Sequence, residues 1–193
     1  MTAQGTTEVT VQLNRAAGCT MEILRLVRPE QMTLSTPCAS WDVHALINHF
    51  VGSARFWAAL LGAVNEAPEH DFAAGDYLAA YTDSLRIANT AFTAPGAMER
   101  VARMEQGEFP GAALLGFATT DQFVHGWDLA RAIGHPTAGL DPELAEDLLA
   151  QARMGVTEAY RGPDGVAVFG PERQAPAGST ASDRLAAFLG RPV

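Results

Sequence analysis

Residues 110–134 read PGAALLGFATTDQFVHGWDLARAIG. Proline is tolerated in the first turn of a helix, glycine ends one, and Pro136 follows just beyond, so this stretch predicts one helix from Pro110 to Ile133 stopped by Gly134. At about 24 residues it would span roughly 36 Å. On a wheel of about 100° per residue, Asp121 and His125 fall about 40° apart. They lie inside an apolar stripe of Leu114, Ala118 and Ala132 edged by Phe117 and Leu129. A long helix that carries a carboxylate and an imidazole on its apolar face needs other helices to bury that face.

Those helices are legible on either side. Ser40 is positioned to cap, and Asp42 to complement the dipole, of a helix from Trp41 to Leu61 that stops at Gly62. On its wheel His49 borders the apolar arc of Leu46, Phe50, Trp57, Val43 and Leu61, with Ser53 close by. His44 clusters with Asn48 and Arg55 on the polar side. Apolar spacing predicts further helices from about Glu8 to Val27 and from Gly75 to Phe92, the latter following a loop with Pro68 and His70. Asp141-Pro142-Glu143 supplies a cap, a proline and an acid for a helix from Pro142 to Tyr160. From Gly162 to Thr180 glycine and proline favour an extended arm, and Asp183–Leu189 a short terminal helix. Val101–Phe109 fits neither pattern cleanly, and the strand-like alternation of Val166-Ala167-Val168-Phe169 is too short for a sheet. The expectation is an all-α fold, with a helical bundle over residues 1–160 and a C-terminal arm over 161–193 packed on it.

Composition narrows the chemistry. In 193 residues, 48% are hydrophobic and 18% charged, which suits one well-cored domain and argues against disorder. The net charge of −9 repels phosphate backbones and anionic headgroups, so neither nucleic acid nor a membrane surface is an expected partner. All 13 basic residues are arginine. Without lysine there is no Schiff base and no P-loop lysine, which removes pyridoxal enzymes and ordinary P-loop NTPases. Cys19 and Cys38 are too few for a disulfide scaffold or zinc knuckle, although one disulfide stays open. No export signal and no run of about 18 apolar residues occurs, so a cytoplasmic location is expected.

Burying an uncompensated polar group costs about 1–3 kcal/mol, and an ionised carboxylate more, so Asp121 and His125 need a strong partner. A divalent cation is one solution: an i, i+4 pair offers two ligands and His49 on a facing helix offers a third. Two imidazoles and a carboxylate leave coordination positions open, as in catalytic zinc sites and non-haem iron triads. The plainer alternative is a hydrogen-bonded Asp–His pair beside a separate core histidine. His70 and His135 fall in proline-bearing loops as ordinary surface residues. Cys38 offers a thiol with no evident base.

Two longer stretches carry a resemblance. STPCASWDVHALINHFVG (residues 35–52) and DQFVHGWDLARAIG (residues 121–134) resemble the mycothiol-dependent maleylpyruvate isomerase N-terminal domain family, a branch of the DinB-like metal-binding four-helix bundles. The closing DRLAAFLGRPV (residues 183–193) is similar to the end of many small actinobacterial relatives. The resemblance implies a DinB-like four-helix bundle with an additional helix and an irregular C-terminal arm. It also implies that His49, Asp121 and His125 are metal ligands, with aspartate standing where the isomerase branch commonly has glutamate. Trp127 and Asp128 belong to the same motif; Arg131, three residues on, is within reach of Asp128 as an ion-pair partner, and Asp128 is given no catalytic role. Zinc is the first choice for a small nitrogen and oxygen site, with nickel, iron and manganese open.

The implied activity is that of a metal-dependent enzyme, transferase or isomerase-like, in which the metal binds or activates mycothiol or a similar thiol for transfer or addition to a small electrophile. About 33 residues follow Tyr160, too few for a second sizeable domain, so isomerisation of maleylpyruvate itself is not expected. The alternatives are a non-catalytic metal-binding or interaction module and a metal-assisted hydrolase. A homodimer through a helix face stays open, since no heptad seam decides it.

Overall fold

A computed structural model describes residues 9–64, 70–163 and 166–193. Glu8 and Pro68, which figure in the expectations above, lie outside the described residues. Six α-helices and one hairpin account for most of the rest: α1 Val11–Leu24, α2 Val43–Leu60, α3 Tyr77–Phe92, β1 Val101–Met104, β2 Gly107–Pro110, α4 Gly111–Ala132, α5 Pro142–Gly155 and α6 Ala181–Phe188. Among the described residues the fold is all-α apart from that two-stranded sheet.

Helix α1 packs on α4, α4 on α2, α2 on α3, and α3 on α1, which closes a ring of four neighbours. Helix α5 lies against α1, while α6 packs on α5 and α4. Helices α1 and α4 approach closely at Gly126 of the HGWD motif. A Cβ there would sit 2.3 Å from Thr20 Oγ1 and 3.2 Å from Thr20 Cα. Thr20 in turn donates to the Gln122 carbonyl at 2.6 Å. Only glycine lets the two backbones meet so closely.

Helix starts follow from side-chain acceptors. Asp42 Oδ1 accepts from the Ala45 amide at 2.9 Å, so the cap of α2 is Asp42 rather than Ser40, and the helix begins after Trp41. Asp76 caps α3 and Asp141 caps α5 in the same way. Asp141 also receives a two-pronged ion pair from Arg15, at 2.8 Å for each contact, which fastens α5 to α1. Helix α2 ends as expected at Gly62, whose φ is 70°, and α4 at Gly134, whose φ is 74°. Helix α5 is shorter than expected: it stops at Gly155, and Glu158–Tyr160 form a separate 3-10 turn.

The ambiguous segment is the antiparallel hairpin. Met104 pairs with Gly107 across a two-residue turn, and Arg103 faces Glu108, forming an ion pair of 2.6 Å. Val166–Phe169 forms no strand; Phe169 makes an isolated bridge to Arg161.

The core has two parts. The larger is built around Phe50, Phe123, Trp127, Leu148 and Leu185. The smaller, toward the hairpin, holds Leu13, Trp57, Leu61, Phe92 and Leu114. Along α2 the change falls between Val51 and Ala54, and along α4 between Ala118 and Phe123. His49, Ser53 and Asp121 occupy that junction. No described helix is long and apolar enough to cross a membrane.

Candidate metal centre

Helices α2 and α4 run antiparallel at this junction: His49 meets Asp121, and eight residues further along α2 Trp57 meets Phe117, four residues back along α4. The three residues expected as ligands come together. His49 Nε2 is 3.1 Å and His125 Nε2 3.4 Å from the same oxygen, Asp121 Oδ1. One donor atom from each residue lies within 4.8 Å of the others, and no fourth His, Cys, Asp or Glu among the described residues joins them. Two ligands about 2.05 Å from one tetrahedral zinc ion sit roughly 3.3 Å apart, so the spacing suits a small divalent cation.

Asp121 and His125 are held from behind by hydrogen bonds, and His49 by a stacked ring. Asp121 Oδ2 accepts from Ser53 Oγ at 2.6 Å and from Gln122 Nε2 at 3.2 Å. Gln122 is fully buried and held by the Tyr81 hydroxyl, which donates to its Oε1 at 2.6 Å, while its Nε2 donates to the Phe50 carbonyl at 3.1 Å. The indole of Trp41, in the loop before α2, stacks on His49 with ring centres 4.2 Å apart and tilts toward His125 at 5.5 Å. Access remains beside it, because the His49 side chain is 32% exposed. Two shallow surface depressions, one against Ser35–Pro37 and the other against the start of α1, are lined by none of the three ligands.

Behind His125 lies a second group that its neighbours in sequence do not reveal. His125 Nδ1 is 2.9 Å from Asp128 Oδ2. That oxygen also accepts from Cys38 Sγ at 3.3 Å and from Arg191 Nη2 at 3.2 Å. Asp128 therefore does not pair with Arg131, whose guanidinium lies over the Trp127 ring. Trp127 Nε1 instead donates to Asp183 in the first turn of α6, at 2.8 Å. Cys38 has a carboxylate neighbour after all, supplied from 90 residues away. Both cysteines are free thiols.

The electrostatics follow the same division. Burial alone would raise the Asp121 carboxyl, but the His49 charge and hydrogen bonds to His125 and His49 hold it far below the usual carboxylate range. Burial also opposes charge on His125, yet hydrogen bonds to Asp121, Asp128 and Cys38 prevail and raise its pKa well above the ordinary value. For Asp128, burial is outweighed by Arg191 and His125, and the pKa falls to about 2.

Elsewhere, His44 stays on the outer side of α2, 3.0 Å from Asp71 Oδ1, and takes no part in the cluster. His70 and His135 are exposed. Ser53 is recoverable from sequence as the residue one turn after His49 on the same stripe. Trp41 and Arg191 have no such local signal.

An all-α bundle that turns two imidazoles and a carboxylate toward one point in the seam between antiparallel helices defines a class of bundle proteins able to hold a cation. The family model described as the mycothiol maleylpyruvate isomerase N-terminal domain matches residues 13–130. The chain belongs to that family. It is 39% identical over 179 residues to an uncharacterized protein of Mycobacterium tuberculosis strain ATCC 25618 / H37Rv, and equally so to one of strain CDC 1551 / Oshkosh, covering 93% of this chain and 95% of either relative. No solved structure gives a significant match.

Proposed function

We propose that His49, Asp121 and His125 bind one divalent cation, and that the protein is an enzyme using it to bind and activate a low-molecular-weight thiol, mycothiol or a close analogue, for transfer or addition to a small electrophile. The observation that carries this reading is the convergence of Asp121 Oδ1 and the two Nε2 atoms at spacings of 3.1 and 3.4 Å while Asp121 Oδ2 and His125 Nδ1 are bonded elsewhere. Ligands held this way from behind can face only the seam.

A divalent cation there would supply the positive charge that keeps a thiol ionised at neutral pH. The chain's own residues do the rest. Ser53 and Gln122 fix the carboxylate, Asp128 fixes the His125 ring, and Trp41 excludes water from one side of His49. Three ligands leave at least one coordination position for a small molecule, which favours turnover over a purely structural site. Zinc suits the nitrogen and oxygen donors and their close spacing, with nickel, iron and manganese next. Membership of the mycothiol maleylpyruvate isomerase N-terminal domain family supports the choice of thiol.

Metal analysis of protein purified without added metal, followed by turnover of small electrophiles with and without mycothiol, tests the reading. One cation per chain and thiol-dependent product are expected. Product formed by water alone would make the protein a metal-assisted hydrolase, and bound metal without turnover a binding module.

A further inference from the structure

The shared imidazole poses a question that the ligand set does not answer. Cys38, His125 and Asp128 also place one donor atom each within 4.8 Å of the others, so the chain holds two groups able to claim a cation, with His125 common to both. Cysteine is the stronger zinc ligand by type, and Asp128 is the more deeply buried carboxylate. What separates the two groups is Arg191. Its Nη2 lies 3.2 Å from Asp128 Oδ2 and 3.5 Å from Cys38 Sγ, and its Nε lies 3.4 Å from Asp128 Oδ1. Among the described residues no cationic side chain bonds to Asp121 from the same distance apart from the two imidazoles beside it.

The segment after α6 is built to deliver this guanidinium. Gly190 takes a φ of 95°, and a Cβ there would lie 2.5 Å from Gly170 Cα. With Gly190 turned, its amide bonds to the Ala187 carbonyl at 3.0 Å and the Arg191 amide to the Ala186 carbonyl at 2.9 Å. Arg191 Nη1 donates to the Leu189 carbonyl at 3.2 Å, and the side chain is only 11% exposed. A buried ion pair is a poor source of net stability, so its placement directly behind a histidine calls for another role.

We infer that Arg191 is a positioning residue of the metal centre: it holds Asp128 against His125 Nδ1, so that Nε2 faces His49 and Asp121, and its charge keeps Cys38 and Asp128 from serving as ligands. The inference rests on the metal reading proposed above. A cation entering the second group would have to break the His125–Asp128 bond, ionise Cys38 and sit beside a guanidinium. In the first group no arginine bonds to Asp121, and the cation displaces only the contacts between Asp121 Oδ1 and the two imidazoles.

Cobalt(II) titration tests this on the full chain, comparing the parent with Arg191→Gln, Arg191→Lys and Cys38→Ser, each checked for helical content. The parent should bind one cobalt with a ligand-field spectrum that Cys38→Ser leaves unchanged. In Arg191→Gln, affinity should fall about 10–100-fold, the usual cost of losing support behind a metal-bound histidine. A thiolate-to-cobalt charge-transfer band should appear with it and vanish when Cys38→Ser is added. Arg191→Lys, which keeps the charge, should show no such band. Parent-like affinity and spectrum in Arg191→Gln overturns the inference, as does a thiolate band in the parent. If Arg191→Gln does not fold, Arg191→Lys decides: it loses the two-point hold on Asp128 and should bind cobalt more weakly than the parent, and parent-like affinity there overturns the inference. A parent that binds no cobalt removes the metal reading itself; tight parent binding with a silent Arg191→Gln removes only the role of Arg191.

Discussion

His125 stands between two groups of side chains, and the two are unlike in what already satisfies them. On its Nε2 side, His49, Ser53 and Gln122 surround the Asp121 carboxylate, and no arginine takes part. On its Nδ1 side, Cys38 and Asp128 are closed off by Arg191, and Asp128 has no solvent exposure. The first group is a carboxylate between two imidazoles with a path to solvent, and the second is a carboxylate neutralised by a guanidinium and buried behind His125. Residue types alone would rank the second group as highly as the first. Charge balance reverses that ranking.

The sharpest break in this comparison is His125→Ala, which removes the shared imidazole and should abolish stoichiometric metal binding in equilibrium dialysis, as should His49→Ala and Asp121→Ala. Next in size, Asp128→Ala leaves Arg191 buried without a counter-charge and should cost about 3–5 kcal/mol of stability in urea unfolding of the metal-free protein. Ser53→Ala acts only on the first group: it should weaken metal binding about 10–100-fold with little change in the unfolding midpoint.

Proton linkage should separate the shared imidazole from the carboxylates by sign. A His125 pKa raised in the folded state stabilises the metal-free protein at low pH, and this contribution is lost as pH rises through the folded value. Metal affinity should climb over the same range, because proton and cation compete for Nε2. Asp128, lowered from 3.8 to about 2, adds stability above its unfolded value that disappears as pH falls toward 2. Opposite pH slopes of metal-free stability and metal affinity near and above neutrality, followed by unfolding and dialysis, are the expected result. The smallest effect belongs to His44→Ala, which should leave metal content unchanged.

The legibility of these parts in the sequence follows the distance over which each is determined. Asp121 and His125 betray themselves within one turn, because two polar groups inside an apolar stripe must be explained. His49 emerges from the wheel of its own helix, and the motifs around it identify the family. Local competition accounts for the near misses. Ser40 and Asp42 are both good caps two residues apart, and the geometry of the Trp41 loop chooses Asp42. The hairpin has only four residues in each strand, too few to show a period, and depends on Gly107 with a φ of 138°. Helical spacing offers Arg131 as a partner for Asp128, yet the arginine that bonds to it comes from 63 residues away. Arg191 lies in the closing stretch that resembles other family members, but nothing there points to Asp128; its place is set by the Gly170 and Gly190 contact and by the packing of α6.

X-ray absorption spectroscopy of the zinc-loaded protein, prepared without added thiol, distinguishes the two groups directly. Zinc–nitrogen distances are about 2.0–2.1 Å and zinc–sulfur about 2.3 Å, a difference the method resolves. Coordination by His49, Asp121 and His125 requires a shell of nitrogen and oxygen with imidazole scattering and no sulfur. A sulfur neighbour in that shell would place the metal with Cys38 and Asp128 instead, and would contradict the account.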